Sequence, residues 1–207
     1  MGAGSVGEAR ELRVVRANTV AAQDLQRVFG ARGDAHRCQC QWFKLGPGES
    51  LGGLGVDELR GRLEEQARCG HARARTTSGL VAWDGDEPVG WVAVEPRTAY
   101  EGMVRSGKVP WEGRDEDRAD GSVWAVTCFV TRVGHRRRGV SRALLAAAVD
   151  HARDGGARAI EGYPMASARG AIAGELFVGL EHVFADAGFE VVTRPTKRRV
   201  VMRLDLV

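Results

Sequence analysis

Apolar positions along the chain change period several times, and each change marks a boundary between elements. ELRVVRANT, residues 11–19, alternates as a strand does, and VAAQDLQRVFGA, residues 20–31, follows with the spacing of an amphipathic helix. HRCQCQWF (36–43) and the glycine-dense KLGPGESLGGLG (44–55) keep no period and read as a loop region. From residue 56 to 70 the helical period returns, with Leu59, Leu63 and Ala67 on one face among i, i+4 charge pairs and Asp57 as the expected cap.

GLVAWDGDEPVGWVAVEP, residues 79–96, predicts a hairpin: two β-rich runs flank an Asp-Gly turn, followed by a proline of the kind an edge strand tolerates. Residues 97–121 hold no period and carry a charged run, which predicts a long surface loop with one helical turn. SVWAVTCFVT (122–131) is a strand, and Val140, Leu144, Ala148 and Ala152, widened by Leu145 and Val149, make a broad helical stripe over 139–153. GGARAIEGYP then closes that helix and opens a short strand, giving a parallel β-α-β unit over 122–164. A helix over 175–187, with Phe177, Leu180, Val183, Phe184 and Ala187 inward, precedes two last strands in FEVVTRP and KRRVVMRLDLV. The pattern is mixed α/β without internal repeats, one domain over 11–207 behind a flexible tail of residues 1–10.

Composition narrows this reading only slightly. Hydrophobic residues at 43% and charged residues at 28% are those of an ordinary globular chain of 207 residues. Of 30 basic residues only Lys44, Lys108 and Lys197 are lysine, and 27 acidic residues hold the net charge to +3. That balance argues against a nucleic-acid footprint, so no nucleic-acid partner is expected. No signal-peptide pattern and no long apolar run occur, which predicts a cytoplasmic protein with no membrane partner. Cys38, Cys40, Cys69 and Cys128 are too few and too irregular for a disulfide framework and read as reduced thiols.

Local charge is more informative. HRRRGVSRALLAAAV, residues 135–149, sets three arginines before one glycine and the first turn of a helix. Arginine there opposes the macrodipole, and a bound anion resolves the conflict, because first-turn N–H groups lack intrahelical acceptors. The turn is neither a dinucleotide G-x-G-x-x-G nor a nucleotide-triphosphate loop, yet it suits a diphosphate.

The block CFVTRVGHRRRGVSRALLAAAVDHAR resembles motif A of the Gcn5-related N-acetyltransferase superfamily, whose pattern is a strand, R/Q-x-x-G-x-G/A and an apolar helix. Arg136, Gly139 and Ser141 take the three pattern positions, Ser141 departing from Gly/Ala. The 79–96 hairpin and FADAGFEVV extend the likeness. The resemblance implies an acyl-CoA N-acyltransferase-like fold: a twisted, mostly antiparallel central sheet with one parallel β-α-β core and helices on both faces. It implies acetyl transfer from acetyl-CoA, as cosubstrate, to a primary amine of a small molecule or peptide. It also implies that Arg136, Arg137, Arg138, Gly139, Val140, Ser141 and Arg142 hold the pyrophosphate. Cys128, Phe129, Val130 and Thr131 would offer backbone to the pantetheine arm and thioester.

Many members of that family place a tyrosine acid four residues before the glycine of a G-F pair; here that position is Phe184, which has no proton to give. A catalytically inactive acyl-CoA-binding module is therefore the alternative reading. Glu161 and Tyr163, two apart on a strand and so on one face, are the candidate base and acid if that face looks into the cleft between the central strands. Otherwise Glu161 makes a salt bridge and Tyr163 packs at a sheet edge. The C-x-C of Cys38 and Cys40 lacks zinc-site spacing, so no metal is expected. That loop instead offers Trp42 and Phe43 as a substrate wall, or its cysteines simply pack. Glu95, Glu112, Asp115, Glu116, Asp117 and Asp120 either favour a cationic acceptor or form a solvated face. Strand-rich termini leave a homodimer open.

Overall fold

The structure, a computed structural model, describes residues 12–206. The expected N-terminal tail, residue 11 and residue 207 lie outside the described residues. The strands are β1 (Arg13–Arg16), β2 (Gly79–Asp84), β3 (Glu87–Pro96), β4 (Val123–Thr131), β5 (Ala159–Gly162), β6 (Glu190–Thr196) and β7 (Arg199–Asp205). The α-helices are α1 (Ala22–Phe29), α2 (Asp34–Cys38), α3 (Leu51–Leu54), α4 (Val56–Ala67), α5 (Glu101–Ser106), α6 (Val140–Asp154) and α7 (Glu181–Asp186). All seven strands join one sheet in the order β1-β2-β3-β4-β5-β7-β6, antiparallel throughout except for the parallel pair β4–β5. This is the mixed layout expected from the pattern.

Strand alternation divides the core between two faces. Val92 and Val94 of β3 pack with Leu144, Leu145 and Ala148 of α6, while Trp91 and Ala93 pack with Leu25, Val28 and Phe29 of α1 and Leu63 of α4. The alanines of α6 bring the helix close to the sheet. A β-carbon at Gly90 would stand 2.5 Å from Val140 Cγ1 and 3.0 Å from Leu144 Cδ1, so the sheet offers glycine where the helix presses hardest.

Within β4 the alternation breaks. Ala93 faces Cys128 but Val94 faces Val126, so β4 carries one extra residue, Thr127, in a β-bulge. Val126 and Cys128 consequently fall on opposite faces of the sheet. Pairing with β5 also ends here, since its last register partners are Val126 and Gly162. Beyond that point β4 has β3 on one side and, among the described residues, no strand on the other.

Several expectations are corrected. Pro88 does not sit at a sheet edge: β3 is interior, and its start carries a register shift, with Ala82 facing Gly90 and Trp83 facing Pro88. That bulge absorbs the missing N–H. The 36–55 region contains α2, a 3-10 turn at Trp42–Lys44 and α3. Gly55, not Asp57, takes the N-cap of α4, at φ +79, and Asp57 points outward toward Arg60.

The 97–121 segment is not confined to the surface. Arg97, Tyr100, Met103 and Trp111 are buried beneath it, Trp111 Nε1 donates to the Met103 carbonyl (3.1 Å), and the Arg97 guanidinium stacks 4.9 Å over the Trp111 ring. Its charges hid an apolar inner side from the sequence pattern.

The helix predicted over 175–187 is two pieces, a 3-10 segment Ala173–Val178 and α7, parted by Gly179 at φ +83. The break seats Phe184 in a slot. Its ring meets Phe129 and Phe189 edge-on at 6.0 and 5.1 Å. A β-carbon on Gly162 would lie 2.1 Å from Phe184 Cε1. Gly162→Ala is therefore expected to lower unfolding free energy by about 2 kcal/mol through overpacking, with part of the loss recovered by adding Phe184→Leu. Urea denaturation of both variants checks it, and a single variant as stable as the parent refutes the slot.

Candidate active site

After Thr131 the chain makes a tight turn into α6, with Gly134 at φ +93, Arg137 at φ +61 and Gly139 at φ +82. Gly139 is the N-cap and offers no side-chain acceptor. The first helical bond runs from the Ala143 N–H to the Gly139 carbonyl (3.0 Å), which leaves the amides of Val140, Ser141 and Arg142 without intrahelical partners. Arg142 is paired with Asp186. Among the described residues, no carboxylate lies within 4.0 Å of the Arg136, Arg137 or Arg138 guanidinium. Free amides and uncompensated guanidinium groups on one turn are what a diphosphate needs.

A cavity of about 460 Å³ opens on this turn. Of the predicted cofactor residues, Phe129, Thr131, Arg136, Arg137, Gly139, Val140, Ser141 and Arg142 line it, and Leu176, Phe177 and Leu180 form the opposite wall. Arg138 is exposed beside it, and Val130 packs into the α1–α4 face of the core. Cys128 lines a second cavity of about 450 Å³ together with Thr127, Asp34, Trp42, Phe43, Glu175 and Arg199. Phe177 belongs to both cavities, so they meet across its ring. A third, of about 420 Å³, shares Trp42, Phe43 and Arg199 with the second and adds Tyr163. The first two cavities lie along the stretch of β4 that β5 has abandoned, and the third adjoins the second.

Glu161 and Tyr163 do share a face, and the Tyr163 hydroxyl donates to Glu161 Oε2 (3.1 Å). Glu161 lies beneath the 97–121 segment, fully buried, and lines none of the three cavities. Three arginines hold it: Arg114 Nη2 at 2.6 Å, Arg203 Nη1 at 3.2 Å and Arg97 Nη1 at 3.4 Å. Glu116 bridges the same arginines. Burial opposes its ionisation, but hydrogen bonds from Arg97 and Arg114 prevail and hold its carboxyl below the usual range. Burial, then Glu161, pushes the Tyr163 phenol well above its ordinary pKa, so it stays protonated. Of the other acidic loop residues, Asp120 is taken by Arg158 and Ser122, Glu95 by Lys44, and none of the six lines the cleft.

The cysteines separate. Cys40, on a left-handed turn with Gln39 at φ +53 and +46, brings its thiol to that of Cys128 (Sγ–Sγ 2.6 Å). Cys38 turns to the second cavity, its pKa pushed up to about 11 by burial. Among the described residues no group of three or more potential ligands is placed to hold a metal.

The model of the Acetyltransferase (GNAT) family matches residues 47–173, more than half the chain and all of β2 through β5 with the turn and α6. The chain belongs to the GNAT acetyltransferase family. An N-acetyltransferase from Staphylococcus aureus Mu50 has a similar fold, at 13% identity and TM-score 0.53 over 95% of this chain and 99% of that one. The PaiA N-acetyltransferase of Thermoplasma acidophilum, solved with coenzyme A, matches at 10% identity and TM-score 0.52, over 94% and 99%. YncA of Salmonella typhimurium, solved with its cofactor acetyl-CoA, matches at 13% and 0.53, over 95% and 94%. No curated protein matches in sequence.

As a GNAT enzyme the chain transfers an acetyl group from acetyl-CoA, and the turn before α6 has the donors that a CoA pyrophosphate requires. Sequence reasoning missed Thr127, Phe177, Asp34, Glu175 and Arg199 as cleft residues. If backbone does most of the phosphate binding, Arg137→Ala should weaken acetyl-CoA binding only about threefold, since neighbouring arginines compensate for one charge-assisted bond. Gly139→Val should weaken it tenfold or more. There is open space for the side chain, with nothing within 4 Å of a β-carbon at Gly139, but φ +82 forces a β-branched residue to re-aim the amides. Calorimetry on the two folded variants decides, and equal affinities refute the backbone cradle.

Proposed function

We propose that this GNAT enzyme moves the acetyl group of acetyl-CoA directly to a primary amine of a small molecule or peptide. The observation that carries the reading is the meeting of two cavities at one place. One carries the turn amides and free arginines, the other carries charged and aromatic walls, and they join at Phe177 opposite the bulged, half-unpaired β4. Backbone groups of Cys128–Thr131 on the side that β5 leaves unpaired are suited to hold a pantetheine arm in place of a strand.

In the step itself the amine lone pair forms a C–N bond to the thioester carbonyl carbon, the C–S bond breaks, and CoA leaves as thiolate. The nitrogen then loses a proton. The open cleft gives the proton a path to water. Direct attack is favoured over an acyl-cysteine. Contact with Cys40, then burial, raises the Cys128 pKa well above the ordinary thiol value, so the thiolate a nucleophile needs is absent at neutral pH.

Glu161 and Tyr163 enter this reading as positioning residues. The phenol is committed to Glu161, Glu161 to three guanidinium groups, and the Tyr163 carbonyl accepts from Arg199 Nη2 (2.8 Å), which fixes a cation at the cleft. Phe184, fully buried in its slot, favours a second reading in which the protein binds acyl-CoA without transferring it.

Incubation with acetyl-CoA and a broad amine panel should release free thiol only when an acceptor is present. Tight cofactor binding without such release supports the second reading. Tyr163→Phe is expected to keep kcat within about threefold with an unchanged pH profile, whereas a hundredfold loss would assign proton transfer to the phenol, since general acid catalysis is worth about 10²–10⁴. Glu161→Gln should cost about 3 kcal/mol of stability, because it leaves buried guanidinium groups without their counter-charge. Thermal and chemical unfolding read that loss.

A further inference from the structure

Charges along the cleft are nearly all spoken for. Asp34 is bonded by Arg37 (2.5 Å), Glu175 by Arg198 (2.7 Å) and by the Ile172 N–H (3.0 Å), and Glu49 by Arg62 (2.9 Å). Arg105 donates to the Leu45 carbonyl (3.1 Å). Arg199 differs. It stands where the second and third cavities join, half-buried, and no carboxylate lies within 4.0 Å of it among the described residues. Its Nη2 is oriented by the Tyr163 carbonyl, its Nε is buried without a partner, and its Nη1 bonds no protein acceptor among the described residues. Burial pulls its pKa below the usual guanidinium value; Glu175 opposes that shift and Arg198 adds to it more weakly. A half-buried guanidinium with donors left unbonded and no carboxylate in direct contact is stabilised by an arriving carboxylate, whose planar fork it matches.

The walls beside it are apolar. Trp42 and Ile172 are 62% and 71% exposed, unusual for side chains of that size, and both line the second cavity with Phe43 and Phe177. The same cavity therefore brings a guanidinium with unbonded donors together with aromatic and apolar surface, while its carboxylates are already paired.

We infer that the acetyl acceptor is a free amino acid with an apolar or aromatic side chain, its amine toward β4 and its carboxylate on Arg199, which makes Arg199 a specificity determinant. The inference rests on the acetyl-transfer reading for the amine's fate, but carboxylate recognition by Arg199 is separable from it. A polycationic acceptor is disfavoured, since Arg37 and Arg199 both line the cavity.

The test uses L-phenylalanine, L-phenylalaninamide and 2-phenylethylamine at saturating acetyl-CoA, with thiol release as the readout. The expected kcat/KM for the acid exceeds that for the amide tenfold or more. Arg199→Gln should collapse the ratio at least tenfold, mostly through KM, and Arg199→Lys should restore part of it. The amide's lower amine basicity is common to all variants and cancels in the change of ratio. A second arm measures N-acetyl-L-phenylalanine against N-acetyl-L-phenylalaninamide by calorimetry with CoA present. Acid-selective binding that Arg199→Gln abolishes, without turnover of any amine, sustains the carboxylate site and overturns the transfer reading. Turnover of amines with no acid preference, a ratio unchanged by Arg199→Gln, turnover confined to peptides, or no acid-selective signal in either arm overturns the proposal.

Discussion

The parting of β4 from β5 after Val126 and Gly162 is the constraint on which the cleft depends. A parallel pair held along its whole length would satisfy its backbone and leave no groove. Here the extra residue at Thr127 re-aims β4 at the point where its partner ends, so the strand continues with β3 on one side and open polar backbone on the other. The 3-10 segment Ala173–Val178 faces the opening without pairing into it, and Phe177 divides the space into two compartments. What holds the parting open is packing rather than hydrogen bonding. Phe184 is wedged among Gly162, Gly179 and Phe129, so the chain after β5 is carried away from β4 by a ring that only glycine can accommodate at close range.

Guanidinium groups serve three different electrostatic ends in a chain with only three lysines. Around Glu161 and Glu116 they are buried and matched, with Asp205 adding a carboxylate to Arg203 (2.7 Å), so three cations meet three anions and the segment 97–121 is fastened to β5 and β7. On the turn before α6 they are exposed and unmatched, where water lowers the cost of waiting for an anion. At Arg199 the cation is half-buried and unmatched, the most expensive of the three situations, because solvation is lost before a partner is gained.

The β4-α6-β5 unit was legible because independent signals agree there: a β-branched run, a glycine-arginine turn and an i, i+4 apolar stripe. The bulge at Thr127 was not, since one added residue leaves Val-Thr-Cys-Phe reading as unbroken strand, and only its register against β3 exposes it. The 175–187 helix was overextended for a related reason. Apolar spacing runs straight through Gly179, and glycine inside a helix costs only about 1 kcal/mol, so the pattern cannot show that the chain instead turns left-handed. Glu161 and Tyr163 were placed on one face correctly by strand period, but the arginines that hold Glu161 come from positions 97, 114 and 203, separations that no local pattern reports. Arg199 was hidden among Lys197 and Arg198; only the start of β7 turns it inward while Lys197 stays exposed.

The position at which many relatives of this family are expected to carry a phenol bears on how protons leave. Phe184 presents its ring edge to β5, with Cζ only 2.6 Å from where a Gly162 β-carbon would stand. A hydroxyl on Cζ would have to occupy that same space or bury itself against apolar rings without a partner, at a cost of about 1–3 kcal/mol. The slot that keeps β4 and β5 apart thus disfavours a phenol at residue 184. The two remaining phenols do not replace it freely, since Tyr163 is committed to Glu161 and Tyr100 lies fully buried over the Ala125 carbonyl (3.5 Å). With both phenols committed, the hydroxyl or titratable groups that line the cleft itself include Thr131, Ser141 and His182 in the first cavity and Cys38 and Thr127 in the second, beside open solvent.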